Sequence, residues 1–209
     1  RFDEPNLLAR YPAVAAFGAW VNALRGRPED AERFTFALEH TTNDAPMPDG
    51  TASAGPWAAL VRAMMCHRGV SVMRADAEEA LEGLAPTSYW RPTALLLVAV
   101  GALFGDDVET AEELFTLAAE DALGSGAIYA GVVAHSELAL LALDRGDPKK
   151  ADTELRQVGE FLRNQPIEDY VPAVIKLAAS ARLALERRQS ATARELVTTT
   201  ARMRPNLSR

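Results

Sequence analysis

One short pattern recurs along the chain and constrains the fold more than any other feature: an apolar helical run, a polar turn built on glycine, then an alanine followed by acidic and apolar residues. It reads LRGRPEDAERF around Gly26 and Ala31, FGDDVETAEELF around Gly105 and Ala111, and LDRGDPKKADTEL around Gly146 and Ala151. Looser copies are RGVSVMRADAEEAL around Gly69 and Ala77, with two or three extra residues, and LERRQSATAREL around Ala193, where Arg188 replaces the glycine. Glycine adopts the left-handed conformation that ends a helix, and a proline such as Pro148 starts the next one without a missing donor mattering. The turn positions 26, 69, 105, 146 and 188 are separated by 43, 36, 41 and 42 residues. A period near 40 that ends each unit in a two-helix hairpin is the signature of an α-helical solenoid.

The periodicity predicts about ten helices in five antiparallel pairs. The first helices of the pairs fall near 12–25, 55–68, 91–104, 127–145 and 169–187 and are rich in Ala and Leu all round. Second helices carry one apolar stripe, as in Val108, Ala111, Phe115, Ala118 and Ala122, or Ala151, Leu155, Val158 and Leu162, at steps of three and four. No segment alternates with period two, so no sheet is expected. The segment 41–56, TTNDAPMPDGTASAGP, reads as one long loop. Tolerated surface is the better-weighted reading of that loop and a functional role the other. Shorter connectors are ALGSGAIYAG and RNQPIEDYVP. The whole chain, 1–209, reads as a single helical-repeat domain.

Composition removes several classes of function. The net charge of −7 and a pI near 5.1 argue against gripping a phosphate backbone, so no nucleic acid is expected to bind these residues themselves. No run of eighteen uncharged apolar residues occurs; ALLLVAVGALF, bounded by Arg91 and Asp106, reads as a buried helix rather than a membrane span. The single cysteine, Cys66, permits no internal disulfide and fits a reducing cytoplasm. The opening RFDEPNLLARYP has no secretory signal pattern, and the chain is expected to be an internal segment of a larger protein.

Catalytic and cofactor chemistry finds no footing in the spacing. His40, His67 and His135 lie in different repeats, so no metal site is expected. The adjacent His135, Ser136 and Glu137 point in different directions on a helix and cannot form a relay. GSGAIYAG lacks the preceding strand and the Gly-Lys-Ser/Thr of a phosphate loop. The expectation is therefore a protein that is not an enzyme and has no cofactor. The aromatic residues are the better candidates. Trp20, Trp57 and Trp90 fall in or at the start of first helices, and Tyr11, Tyr89, Tyr129 and Tyr170 near such starts. Helices that line one face of a solenoid present aromatics for stacking or anchoring. The competing reading is plain packing, because aromatics supply large buried area without any ligand. The candidate effector or partner surface is Trp57, Tyr89, Trp90, Arg91, Tyr129, His135 and Tyr170, with Arg91 as a charged anchor or as the partner of a neighbouring carboxylate.

A likeness to a known family adds to this. YPAVAAFGAWVNALRGRPEDAERF, MRADAEEALEGLAPTSYWRPTALLLVAVGALFGDDVETAEELFTLAAEDA, AHSELALLALDRGDPKKADTEL and IEDYVPAVIKLAASARLAL resemble the central helical-repeat region of large ATP-dependent LuxR-family transcriptional regulators of the maltose-regulator type, common in actinobacteria. The likeness runs over nearly the whole chain, including PMPDGTAS and ARMRPNLS, and is most specific over RADAEEAL and SYWRPTALLL. It implies a right-handed α-α superhelix, tetratricopeptide-like, of about five hairpins, placed between a switch ATPase and a helix-turn-helix domain. Neither GxxxxGK[ST] nor an LTxRExEVL-like segment occurs here, so the family's ATP and DNA sites map onto no residue of this chain. The implied role is a cytoplasmic sensor and interaction module that binds a small-molecule effector or a protein partner and controls the parent's oligomeric state. The alternative is a scaffold for protein contact or self-association with no effector. Arg187-Arg188-Gln189 departs from the Gly-Asp turn, and a tighter or distorted final turn is expected there.

Overall fold

The computed structural model describes residues 5–41, 43, 45–163 and 172–207. Within them are eleven helices and no strand: α1 (Pro5–Arg10), α2 (Pro12–Leu24), α3 (Pro28–Glu39), α4 (Gly55–Met65), α5 (Val70–Gly83), α6 (Arg91–Phe104), α7 (Val108–Ser125), α8 (Ile128–Asp144), α9 (Pro148–Leu162), α10 (Ala173–Glu186) and α11 (Ser190–Leu207). Helices adjacent in sequence pack together, α2 on α3, α4 on α5, α8 on α9 and α10 on α11. The all-helical, paired architecture matches the sequence reading. α1 was not foreseen, and the start of the helix expected over 169–187 lies outside the described residues. The chain divides into two compact units, 1–111 and 112–209, each taken here by itself.

The turns explain the repeat better than the glycines do. Left-handed residues stand at Gly26, Cys66, Asp106, Gly146 and Arg188, with φ of 65°, 49°, 59°, 72° and 59°. Their separations are 40, 40, 40 and 42 residues, more regular than the glycine positions. In four of the five turns the next residue donates its N–H five residues back: Arg27 to Asn22, Asp107 to Ala102, Asp147 to Ala142 and Gln189 to Ala184, at 2.8–3.0 Å. This six-to-one bond closes the helix in the Schellman manner. The same residue then accepts from the alanine four positions on, Ala31, Ala111, Ala151 or Ala193, and each of those alanines is buried.

Three expectations shift as a result. The left-handed residue of the third turn is Asp106, not Gly105, which sits at φ −92°. In the second turn it is Cys66, and two inserted residues put the helix cap at Gly69, so that Met73, not Ala77, takes the place of the buried alanine. The final turn is not distorted: Arg188 donates to Leu185 at 2.9 Å and Gln189 to Ala184 at 2.8 Å, as in the glycine-bearing turns. The hydrogen bonds hold Arg188 left-handed against a conformational preference of order 1 kcal/mol.

Helix starts follow local chemistry. Pro28 and Pro148 open α3 and α9, and Asp147 caps α9 by accepting from the N–H groups of Lys149 and Lys150 at 3.1 and 2.9 Å. α9 buries only Ala151, Val158 and Leu162, whereas α8 is buried nearly all round, as a helix enclosed by its neighbours must be.

Candidate functional site

In the first unit the aromatic residues gather where the starts of α4 and α6 meet α2. Trp90 is the hub: its ring centroid lies 5.5 Å from Phe17, 5.3 Å from Trp20, 5.6 Å from Trp57 and 5.8 Å from Tyr89, mostly edge to face. Such pairings add to the hydrophobic gain of burial. Trp57 and Trp90 are only 3% and 6% exposed, so they form the floor of the cluster and not its surface. What faces solvent is Tyr11 at the cap of α2, Val14 and Phe17 along it, and Tyr89 against Trp90; Phe17 is 48% and Tyr89 43% exposed. The spacing 11, 14, 17 follows one helical face, a signal open to sequence reading that the tryptophans overshadowed.

The cluster is closed. Between Ala16, Trp20, Leu60, Met64 and the two indoles only about 10 Å³ remains, room for one water and for no metabolite.

The loop before α4 clasps this core. Asp49 accepts the Trp57 indole N–H at 3.1 Å and the Thr51 N–H at 3.0 Å, and also accepts from the Ser88 hydroxyl. Ser88 in turn accepts the Trp90 N–H at 3.1 Å, and the Thr51 hydroxyl accepts from the Ala85 N–H at 3.1 Å. Burial pushes the Asp49 carboxyl up, but the hydrogen bonds from Ser88, Thr51 and Trp57 outweigh it and hold the group below the ordinary aspartate value. At its other end the loop is tied to α1, Thr41 donating to the Ala9 carbonyl at 2.5 Å and Asn43 to that of Arg10 at 3.0 Å. The segment is thus a strap that positions Trp57 and Trp90 and whose own Met47 and Thr51 are buried.

Around α4 and α5 charged groups pair with one another. Arg62 on α4 joins Glu39 of α3 at 2.9 Å and Asp76 and Glu79 of α5 at 3.0 Å each, while Arg68 takes the second oxygen of Asp76 at 3.0 Å. Burial draws the Arg62 guanidinium down, and the bonds to Glu39 and Asp76 more than restore it. A groove of about 220 Å³ beside Cys66 is lined by these paired groups and by His67, itself 2.9 Å from Glu32.

The second unit holds the remaining predicted residues. His135 on α8 meets Glu154 on α9 at 2.7 Å, and its ring lies 5.9 Å from Phe161. The pair bridges two helices that also interlock through Gly131 and Phe161. Tyr129 is half-buried and its phenol is pushed up by burial; the same cause raises the Glu137 carboxyl. Arg91 is half-buried at the start of α6 in the first unit. Tyr170 lies outside the described residues. Of the predicted set, then, the structure brings together Trp57, Tyr89 and Trp90, and Arg91 follows them directly in the chain. Among the described residues no cluster of three metal-binding side chains occurs, and no helix is long and apolar enough to cross a membrane.

No protein-family model matches the chain, and no curated protein matches it.

Proposed function

We propose that this chain is a tetratricopeptide-like sensor and interaction module of a LuxR-family transcriptional regulator, acting without catalysis by receiving an effector or a protein partner and so biasing the parent's oligomeric state. A module of that kind works only if its ligand prefers one of two states, since equal affinity shifts nothing. The observation that carries the reading is the exposed stripe of Tyr11, Val14 and Phe17, with Phe17 and the exposed Tyr89 each packed against the buried Trp90. Rigid aromatics with little rotamer entropy to lose are favoured anchors in protein contacts. The forty-residue recurrence of one turn supports the repeat architecture, and the LuxR assignment is supported by the sequence likeness.

The filled slot beneath the stripe favours the scaffold version of this reading on that face, because the tryptophans leave no room for a small molecule. The test is a thermal-shift screen of the chain against sugars, nucleotides and metabolites, run beside light scattering over a hundredfold range of concentration. A ligand that binds only the folded state raises the melting temperature. Silence in the screen together with a strictly monomeric chain at every concentration sinks both forms of self-contained sensing and leaves only contact with another protein.

A further inference from the structure

We infer that the groove between α9, α10 and α11 is a binding site for a small phosphate monoester. The groove has a volume of about 270 Å³, the size of a small metabolite and far below that of a folded partner. Its walls carry Arg156, Lys176 and Arg187 against a single carboxylate, Asp152, in a chain whose net charge is −7. Asp152 is shared between Arg187 at 2.9 Å and Arg156 at 3.5 Å, so the local charge is that of two uncompensated cations. Lys176, half-buried on α10, has no ion pair among the described residues.

Hydroxyl geometry points the same way. Every other serine or threonine beyond the first turn of a described helix returns its hydroxyl to the carbonyl four residues back: Thr35, Thr116, Ser125, Ser136, Thr153 and the run Thr198 to Thr200. Ser180, one helical turn after Lys176, does not, and it lines the groove. An uncommitted hydroxyl and an unpaired ammonium one turn apart, in a groove that the Asp152-bound Arg156 and Arg187 also line, form a donor set for a multi-oxygen anion. A phosphate monoester carries close to two negative charges at neutral pH, matching the local excess, whereas a carboxylate supplies only one. The apolar floor of Leu155, Leu183 and Leu196 accepts the carbon body of the ester. The groove beside Cys66 has the opposite balance: Arg62 alone meets Glu39, Asp76 and Glu79, and Arg68 adds only one more guanidinium to Asp76, so carboxylates outnumber guanidinium groups there.

The inference goes beyond the sensor reading and does not depend on it, since binding is read on the chain itself. The experiment is a calorimetric titration at fixed ionic strength with phenyl phosphate, inorganic phosphate and, as the uncharged control, phenol. Phenyl phosphate is expected to bind saturably, several-fold more tightly than inorganic phosphate, and phenol not at all. Lys176→Met is expected to weaken phenyl phosphate at least tenfold and Ser180→Ala a few-fold, with Lys176→Arg retaining most of the affinity and all three variants keeping wild-type helical CD. No saturable heat from phenyl phosphate, or equal binding by wild type and Lys176→Met, overturns the site. Equal affinity for inorganic phosphate and the ester overturns the assignment to an ester.

Discussion

The two units solve the same packing problem with different residues. The first sets rings into an alanine-rich core: Trp57 and Trp90 are buried among Ala15, Ala16, Ala58 and Ala94, Phe17 and Trp20 pack against them, and the strap from Met47 to Ala54 is stitched to the indoles through Asp49. The second works with small and aliphatic side chains, Ala139, Ala142, Ala151 and Ala179 drawing helices together while Val132, Val158, Leu162 and Leu177 fill between them. Large rings leave a sturdy floor and an apolar edge at the surface. The difference teaches that one repeat grammar accepts either indole rings or aliphatic side chains between its paired helices.

All three tryptophans belong to the first unit, so indole fluorescence reports that unit alone while far-UV CD reports both. The largest expected effect uses this. Trp90→Ala removes the hub of the ring cluster and should cost about 3–5 kcal/mol. In urea, the fluorescence midpoint should fall well below the CD midpoint as the first unit melts early. Tyr89→Ala, one residue away but 43% exposed, should cost about 1 kcal/mol or less. Coincident midpoints in Trp90→Ala would show that the two units unfold as one body.

The strap comes next. Asp49→Ala leaves the Trp57 indole N–H and the Ser88 hydroxyl without their acceptor, a loss of about 2–3 kcal/mol that fluorescence should register. The pH dependence follows in sign. The folded-state carboxyl lies below its ordinary value of 3.8, so its contribution is complete above that value and is lost as pH falls through the lower folded value. Asp49→Asn should therefore flatten the acid limb of the first unit's stability curve, and an unchanged limb would show that the strap does not depend on ionised Asp49.

How much of this was open to sequence reading depends on distance along the chain. Helix positions, hairpin pairing and the buried alanines of four turns follow from local periodicity and were readable. Cys66 as a left-handed residue was not, because cysteine has no preference for that conformation and Gly69 nearby is the obvious candidate; the hydrogen bonds of the turn, not the residue type, put it there. The clasp was not readable either. Composition marks 41–56 as loop, but the partners of Asp49 are eight and thirty-nine residues away. Trp57 and Trp90 were candidates for a binding surface, yet the strap and α2 cover them, and the exposed stripe passes to Phe17 and Tyr89. The left-handed residues carry one further signal. Gly18 faces Phe34, eight residues on either side of Gly26, and Gly131 faces Phe161, fifteen on either side of Gly146. Antiparallel hairpins pair positions equidistant from the turn, so a glycine opposite a phenylalanine marks a ring inserted against backbone.

Those two pairs sharpen the comparison between units. A Cβ on Gly18 would lie 2.4 Å from Cδ1 of Phe34 and 3.0 Å from Cγ, near the root of a ring that cannot swing away. A Cβ on Gly131 would meet the tip of Phe161, 2.5 Å from Cζ, where a modest rotation relieves it. Alanine gains about 1 kcal/mol over glycine inside a helix, and overpacking costs about 1–3 kcal/mol. Gly18→Ala should therefore be destabilising by about 2 kcal/mol net and Gly131→Ala nearly neutral. Equal losses in urea melts of the two variants would mean that the alanine-packed unit is as unyielding as the ring-packed one.

The smallest effect lies in the turns and compares the second unit with itself. Gly146 and Arg188 make the same hydrogen bonds at φ 72° and 59°, but only the glycine does so without steric cost. Arg188→Gly should stabilise the chain by about 1 kcal/mol, less a few tenths for the greater freedom of glycine when unfolded, whereas Gly146→Ala should cost about 1 kcal/mol. Because the second unit has no tryptophan, both changes should move the CD melt and leave indole fluorescence unmoved wherever the two units unfold separately. The signs matter more than the sizes. If Arg188→Gly destabilises, the arginine side chain is worth more to the last hairpin than its backbone strain costs, and the 42-residue spacing that sets this turn apart from the 40-residue spacing of the others reflects a separate contact rather than a relaxed copy of the same turn.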